Sequence, residues 1–354
     1  MKIDCEKIHE LAANLASSRG ELSVMEVCGT HTMAIAASGL RSLLPETLRL
    51  ISGPGCPVCV TDQSYIDRAI WLARKEDVVV ATYGDMVRVP GREGSLADAR
   101  ARGAAVEVVY SANQAVSLAA KMPDRQIVFL AVGFETTTPG TAMAILRARE
   151  ESIDNFFAFT AHKLMLPAMR ALLEGGRARI DGFLCPGHVA VILGWEAFGE
   201  ISDDFSKPCV VAGFDPSQIA AGIGEILSQL AAGQAKACSV YSSVSAEGNA
   251  KARRLMSEVF VETDADWRAL GVISGSGLTL RESFAKYDAA RQFTLPETEP
   301  YQAPGCRCGE VITGICGPHD CGLFAKSCTP RNPVGPCMVS SEGACAAAYK
   351  YEKR

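Results

Sequence analysis

Short, continuous runs of apolar and β-branched residues recur along the chain at 48–52, 77–82, 105–110 and 126–132, and again at 156–160, 181–184, 209–212 and 239–244. Unbroken apolar runs, rather than strict alternation, are what strands buried on both faces of a parallel sheet require. Between them, residues 65–74, 113–121, 141–151 and 216–232 place apolar side chains at helical spacing. Strand and helix in alternation predict parallel α/β units with right-handed crossovers. The strands fall into two groups of four, which predicts two α/β domains, 1–150 and 151–265, facing each other across a cleft. A helix over 5–18 precedes them, with its packing partner left open. From about residue 258 the period is lost. Residues 271–277 and the Pro- and Gly-punctuated tail after 296 read as irregular chain, so 266–354 is expected to form a third, small domain held together by metal ligation.

Composition narrows the chemistry. At 354 residues the chain exceeds one ordinary core of roughly 100 to 150 residues. The net charge of -5, with lysines and arginines scattered, offers no basic stripe for nucleic acid. No segment approaches the roughly 18 apolar residues of a membrane span, and no basic-then-apolar leader is visible, so a cytoplasmic location is expected. In a reducing compartment fourteen cysteines point to metal binding and redox chemistry rather than structural disulfides. Neither a Gly-x-Gly-x-x-Gly fingerprint nor a Walker loop is present, so no nucleotide cofactor is expected.

The unusual residues cluster where strands end. In open parallel sheets the loops after the strands sit above a crevice, and helix N-termini there present free N–H groups. Cys56 and Cys59, in Gly53-Pro54-Gly55-Cys56-Pro57-Val58-Cys59, follow one such strand. They read as a redox dithiol with a depressed thiol pKa or as a metal ligand pair, half of a zinc site sharing the spacing. Cys28 and His31, in Glu26-Val27-Cys28-Gly29-Thr30-His31, combine a soft and a borderline ligand three residues apart. Glu135 precedes Thr136, Thr137 and Thr138, whose hydroxyls are expected to cap a helix begun by Pro139. His162, Lys163, His188 and Phe214-Asp215-Pro216 stand at corresponding places in the second half, the histidines as candidate acids, bases or anion donors. Cys5, Cys209 and Cys238 are isolated and are expected to pack in the core.

Seven cysteines, Cys306, Cys308, Cys316, Cys321, Cys328, Cys337 and Cys345, crowd the tail. Cys321, Cys328, Cys337 and Cys345 are spaced 7, 9 and 8 apart with prolines between. This differs from the compact ferredoxin run and from the paired knuckles of a zinc ribbon. Four thiolates in a loop-rich domain suit a [4Fe-4S] cluster; zinc and redox-sensing thiols are the alternatives.

The joint order of Cys28-Gly29-Thr30-His31, Gly53 to Val60, Gly133-Phe134-Glu135-Thr136-Thr137, Cys185-Pro186-Gly187-His188-Val189, and Cys328-Thr329-Pro330 through Gly335 to Cys345 strongly resembles the HypD family of hydrogenase maturation factors. The resemblance spans nearly the whole length. It implies a scaffold that works with a small partner, HypC, in assembling the Fe(CN)2CO group of [NiFe] hydrogenases, receives cyanide from HypE, and serves the hydrogenase large subunit indirectly. It further implies that Cys28 helps hold the iron that carries CN and CO, that Cys56 and Cys59 form a redox dithiol beside it, and that Cys321, Cys328, Cys337 and Cys345 carry a [4Fe-4S] cluster. His31, Glu135 and His188 fall within the same motifs. The main rival is a stand-alone iron-sulfur thiol-disulfide reductase; a zinc-stabilised binding module is the second.

Overall fold

A computed structural model describes residues 5–299 and 301–352, with the side chain of Cys5 outside that description. Among the described residues, eleven strands form three sheets. They are β1 (Leu22–Glu26), β2 (Leu48–Ser52), β3 (Val78–Thr82), β4 (Val106–Val108), β5 (Gln126–Gly133), β6 (Phe156–His162), β7 (Gly182–Pro186), β8 (Cys209–Ala212), β9 (Ala237–Ser239), β10 (Phe260–Trp267) and β11 (Gly271–Leu280). A five-stranded parallel sheet has the order β2-β1-β7-β8-β9, and a four-stranded parallel sheet has the order β4-β3-β5-β6. β10 and β11 make an antiparallel pair.

The α/β class and the four central helices follow the sequence pattern, the helices running Gln63–Ala73, Ala112–Lys121, Thr138–Glu150 and Pro216–Ala231. Local chemistry sets their starts. Asp62 accepts from the Tyr65 N–H at 2.9 Å, and Ser111 accepts from the Gln114 N–H at 3.3 Å. The helix Cys5–Arg19 buries Ile8, Ala12 and Leu15 against the outer face of the five-stranded sheet, beside Ile223 and Leu227. A second apolar cluster lies between the two parallel sheets and continues under the tail, joining Ile51, Phe183, Ile70, Val80, Cys337 and Ala348. Outside the four-stranded sheet a third joins Phe129 and Ile145 to Phe260 and Leu280. Among the described residues, no helix is long and apolar enough to cross a membrane.

Three expectations are corrected. The strands do not sort by halves of the chain: β2, from the first group, lies in the sheet of β7, β8 and β9, and β6, from the second group, completes the other sheet. The reason is β1, a fully buried strand absent from the sequence reading, which pairs with β2 on one side and β7 on the other. Ser23 exchanges bonds with Asp181, its N–H on the Asp181 carboxylate at 2.9 Å and its carbonyl taking the Asp181 N–H at 2.8 Å. Residues 271–277 are not irregular but part of β11, whose glycines admit a register shift opposite β10. Finally, the threonines after Glu135 do not cap the helix with their hydroxyls. Those of Thr137 and Thr138 donate back to the Phe134 carbonyl at 3.2 and 2.9 Å.

Candidate functional site

β1 and β2 run parallel with Glu26 opposite Ser52, so the segments following them leave from the same edge. The Gly53 N–H donates to the Glu26 carbonyl at 2.7 Å, and the Gly29 N–H to the Gly55 carbonyl at 3.0 Å. Gly55 presses on the Cys28 backbone so closely that a Cβ would overlap it. The Cys28 and Cys56 motifs are therefore one unit. Cys56 and Cys59 are joined as a disulfide and are almost wholly buried, with the Cys59 N–H donating to Cys56 Sγ at 3.2 Å. The thiolate expected at this helix start does not arise in the oxidised pair.

Cys28 opens onto a cavity of about 300 Å3 whose lining includes Thr30, Pro57, Phe134, His188 and Glu342. The two parallel sheets and the cysteine-rich tail each contribute to its wall. Burial pushes the Cys28 thiol up to about 12, and the carboxylates of Glu342 and Glu26 add to the shift. It is a neutral thiol at physiological pH, so a metal binding there has to displace its proton.

Two carboxylates beside Cys28 escaped the sequence reading. Glu26, at the end of β1, is fully buried and pushed up to about 7 by desolvation; the Thr32 hydroxyl, donating at 2.5 Å, opposes the shift. Its other oxygen accepts the Cys28 N–H at 3.2 Å. Glu342, from the tail, accepts the Thr30 hydroxyl at 2.8 Å and lies over Gly29, where no Cβ would fit. It thereby places a negative charge at the N-terminus of the helix Gly29–Ser38. The available signals were a charged residue closing an apolar strand and an acidic residue amid the tail cysteines.

His31 is buried, and its Nε2 is 3.0 Å from the Gly213 carbonyl, which assigns the proton to that nitrogen. Nδ1 has no partner, and burial lowers the ring to about 4. His188 is exposed and stacks on Phe214 with ring centroids 4.1 Å apart; the His31 ring is 5.1 Å from the same Phe214. Phe214, known from the sequence only as a strand-end residue, thus packs on both imidazoles. Glu135 is not among the residues lining the Cys28 cavity: its Oε1 accepts the Met165 N–H at 2.8 Å, capping the helix Met165–Gly175. His162 is buried against Phe260 with Nε2 3.0 Å from the Thr141 hydroxyl, and Lys163 donates to the Asp266 carbonyl at 2.6 Å. Both therefore have structural partners. Cys209 is a buried core residue and Cys238 is half-buried.

In the tail, Cys321, Cys328, Cys337 and Cys345 line one small cavity, joined by Cys306 and Cys308 and walled by Leu323, Phe324 and Met338. Cys316 lies apart, in a separate cleft with His319 and Glu352. Six thiols thus face a space where a cubane takes four. The Val334 N–H donates to Cys328 Sγ at 3.4 Å, the kind of bond that stabilises sulfur bearing charge. The Cys308 thiol is held well below its usual range by bonds from Cys306 and Cys337, and Cys337 is pushed up by Cys308 and Cys345. Among the described residues no three such side chains converge on a single ion. The set nonetheless fits an iron-sulfur cluster in donor type, number and apolar enclosure.

The two thiol centres adjoin. The single turn Pro57–Val60, carrying Cys59, packs on the turn Pro336–Met338, carrying Cys337. Gly343 lies against the Cys337 backbone with no room for a Cβ, which sets Glu342 between the cluster cavity and Cys28. Arg88 adds bonds to the carbonyls of Pro330 at 3.1 Å and Val339 at 3.4 Å, tying the tail to the four-stranded sheet.

A family model described as HypD, hydrogenase formation hypA family, matches residues 4–352. The chain is 43% identical over 352 residues to the hydrogenase maturation factor HypD of Escherichia coli K12, covering 99% of this chain and 94% of that protein. It is 44% identical over 336 residues to HypD of Cupriavidus necator, covering 92% and 89%. To the putative hydrogenase expression/formation protein MJ0993 of Methanocaldococcus jannaschii it is 41% identical over 349 residues, covering 98% and 96%.

Proposed function

Since the chain belongs to the HypD family of hydrogenase maturation factors, we propose that it is the scaffold on which, together with HypC, the Fe(CN)2CO group of [NiFe] hydrogenases is put together. The observation that carries this reading is the adjacency just described: a buried cysteine open to a cavity, a disulfide in the wall behind it, and a many-cysteine cavity behind the disulfide. Cys28 Sγ gives up its proton and binds the incoming iron as cargo. Soft thiolate ligation suits an iron that is to carry CN and CO. His188, which lines the same cavity and stacks on Phe214, would take up that proton.

Cyanide delivered by HypE on sulfur, R-S-CN, has to be released reductively. In the dithiol state, one of Cys56 and Cys59 attacks the carrier sulfur and expels cyanide; the other resolves the mixed disulfide and returns R-SH. The balance is dithiol plus R-S-CN giving disulfide, R-SH and HCN; the close approach of Cys56 and Cys59 supports this step, since it allows the pair to close into that disulfide. Cys321, Cys328, Cys337 and Cys345 would hold a [4Fe-4S] cluster, which when bound supplies the electrons that restore the dithiol. The protein's part is to keep the two thiol centres in contact and to exclude water from the buried pair.

Anaerobic co-purification with HypC followed by infrared spectroscopy tests the proposal, because bound CN and CO absorb in an otherwise empty window. Cys56→Ala should fold and keep its brown chromophore yet give no CN or CO bands; hydrogenase maturation at the wild-type level in that variant would refute the proposal. A stand-alone thiol-disulfide reductase would instead turn over disulfides without HypC.

A further inference from the structure

Away from the Cys28 cavity, and independent of how that cavity is read, lies a second one of about 570 Å3 with Glu135 in its wall. Its apolar lining includes Leu164, Leu193, Met256, Phe260 and Leu278, contributed by segments after β6 and β7, the helix Ala250–Val259 and the β10–β11 pair. Glu135 is 1% exposed. One carboxylate oxygen caps the helix Met165–Gly175, and the other, Oε2, is buried with no hydrogen-bond partner. A helix cap requires one acceptor, which a neutral amide or hydroxyl supplies without the desolvation of a second oxygen. Apart from Glu135's own backbone N–H, which interacts with the carboxyl without a hydrogen bond to Oε2, the surplus oxygen has no donor and asks for one from outside.

The charges around the cavity say which donor. Arg253 and Arg281 both line it, but their bonds go to the carbonyls of Leu193 at 3.5 Å and Ser257 at 2.7 Å. Glu200 and Glu262 line it as well, Glu200 lying 3.9 Å from Arg170, and His162 stands behind Phe260 as a buried imidazole bonded to Thr141. Among the described residues no lysine lines the cavity. Three carboxylates face two guanidiniums, and the innermost carboxylate has a free oxygen.

We propose that this cavity binds a primary ammonium group on an apolar stem, the stem lying along Leu164, Met256, Phe260 and Leu278 and the ammonium donating to Glu135 Oε2. Either a free alkylamine or a lysine side chain of a protein supplies this chemistry. The site is coupled to Cys28 through short links: Phe134 and Thr136, the neighbours of Glu135, line the Cys28 cavity, as does Met165, whose N–H Glu135 holds. Burial pushes the Glu135 carboxyl up to about 7, so affinity for the cation should rise between pH 6 and 8 while an alkylammonium stays charged throughout.

The test is calorimetric or NMR titration of the anaerobically purified full chain with n-hexylammonium, with n-hexanol as the neutral comparison. A lysine-containing peptide and its lysine-acetylated form make the second arm. Saturable binding of the ammonium at least tenfold tighter than hexanol, strengthening from pH 6 to 8, supports the proposal. Peptide binding lost on acetylation assigns the source to a protein; hexylammonium binding without peptide binding assigns it to a free amine. Glu135→Gln should abolish the preference of ammonium over hexanol. Leu278→Trp fills the cavity while leaving the carboxyl in place, and should abolish binding even if Glu135→Gln does not fold. No saturable binding of hexylammonium, equal affinity for hexanol, or undiminished binding by Leu278→Trp would each overturn the assignment.

Discussion

The two thiol regions are built on opposite principles. Around Cys28, Cys56 and Cys59, position comes from the backbone: parallel strands in register, carbonyl bonds between Gly29 and Gly55, and contacts that admit no Cβ. Around Cys321, Cys328, Cys337 and Cys345, the described residues form short turns and the brief helices Cys308–Ile312 and Ala344–Tyr351, with no strand. The first region is a place where a rigid sheet edge happens to carry sulfur. The second is chain that sulfur itself has to organise, and it rests on the first through the turn Pro336–Met338 and Glu342. Both regions nonetheless belong to one apolar core, and the proposed function would assign cargo binding to the rigid one and electron storage to the other.

The largest expected effect separates the regions outright. With the proposed cluster in the tail, stripping iron and sulfide, or Cys328→Ala, should abolish hydrogen-exchange protection across 306–345 while β1, β2 and β7 keep theirs; retained protection in the tail would mean that metal does not hold it. Next, Gly55→Ala forces a Cβ into the Cys28 backbone and should cost about 3 kcal/mol in denaturant unfolding. Gly140→Ala, in a helix with open space around it, should instead gain up to about 1 kcal/mol. Equal effects of the two would remove the claim that the strand-end unit is tightly fitted.

The pH dependence sharpens the contrast at the Cys28 side. Glu26 titrates near 7 in the folded chain against an ordinary value of 4.5, so its contribution is fully present below pH 4.5 and is lost as pH rises through 7, by up to about 3 kcal/mol. His31 and His162, lowered to about 4 from 6.5, act in the opposite sense: their contribution is present above pH 6.5 and lost as pH falls through 4. Glu135, likewise raised to about 7, adds a decline of the same sign, so Glu26→Gln should lessen the decline in stability between pH 4.5 and 7 and leave the acid-side loss; an unchanged profile in thermal unfolding would contradict the buried carboxyl. The smallest effect concerns Glu342, whose charge helps raise the Cys28 thiol. Glu342→Gln should speed Cys28 alkylation at fixed pH by about two- to fivefold, a fraction of the tenfold that one pKa unit represents. No acceleration would mean that the tail does not act electrostatically on Cys28.

Much of this was legible in residue order. The main helices followed from apolar spacing, the last of them from its first residue, Pro216, and the strand-end placement of Cys56, His188 and Phe214 followed from apolar runs and the loops after them. The strand at Leu22–Glu26 was missed because its five residues include a serine and a glutamate; what holds it lies outside the strand, the Ser23 main chain bonding to Asp181 and the Glu26 carboxylate accepting the Thr32 hydroxyl. Residues 271–277 misled because glycine and serine are turn residues by local rule, whereas Ser276 accepts the Trp267 indole N–H at 2.8 Å within the hairpin. Glu135 sat in the right motif, yet its side chain caps the helix Met165–Gly175 and does not line the Cys28 cavity.

Periodicity and turn chemistry, which act over a few residues, determined that the chain is α/β, where its main helices begin, and which residues emerge at strand ends. Tertiary structure alone decided which strands share a sheet, that Glu26 and Glu342 flank Cys28, and that Cys306 and Cys308 join the tail cysteines. Those outcomes depend on pairings such as Val24 with Gly182 and Thr30 with Glu342. Their energy appears only when distant segments are desolvated together, so no local pattern records it.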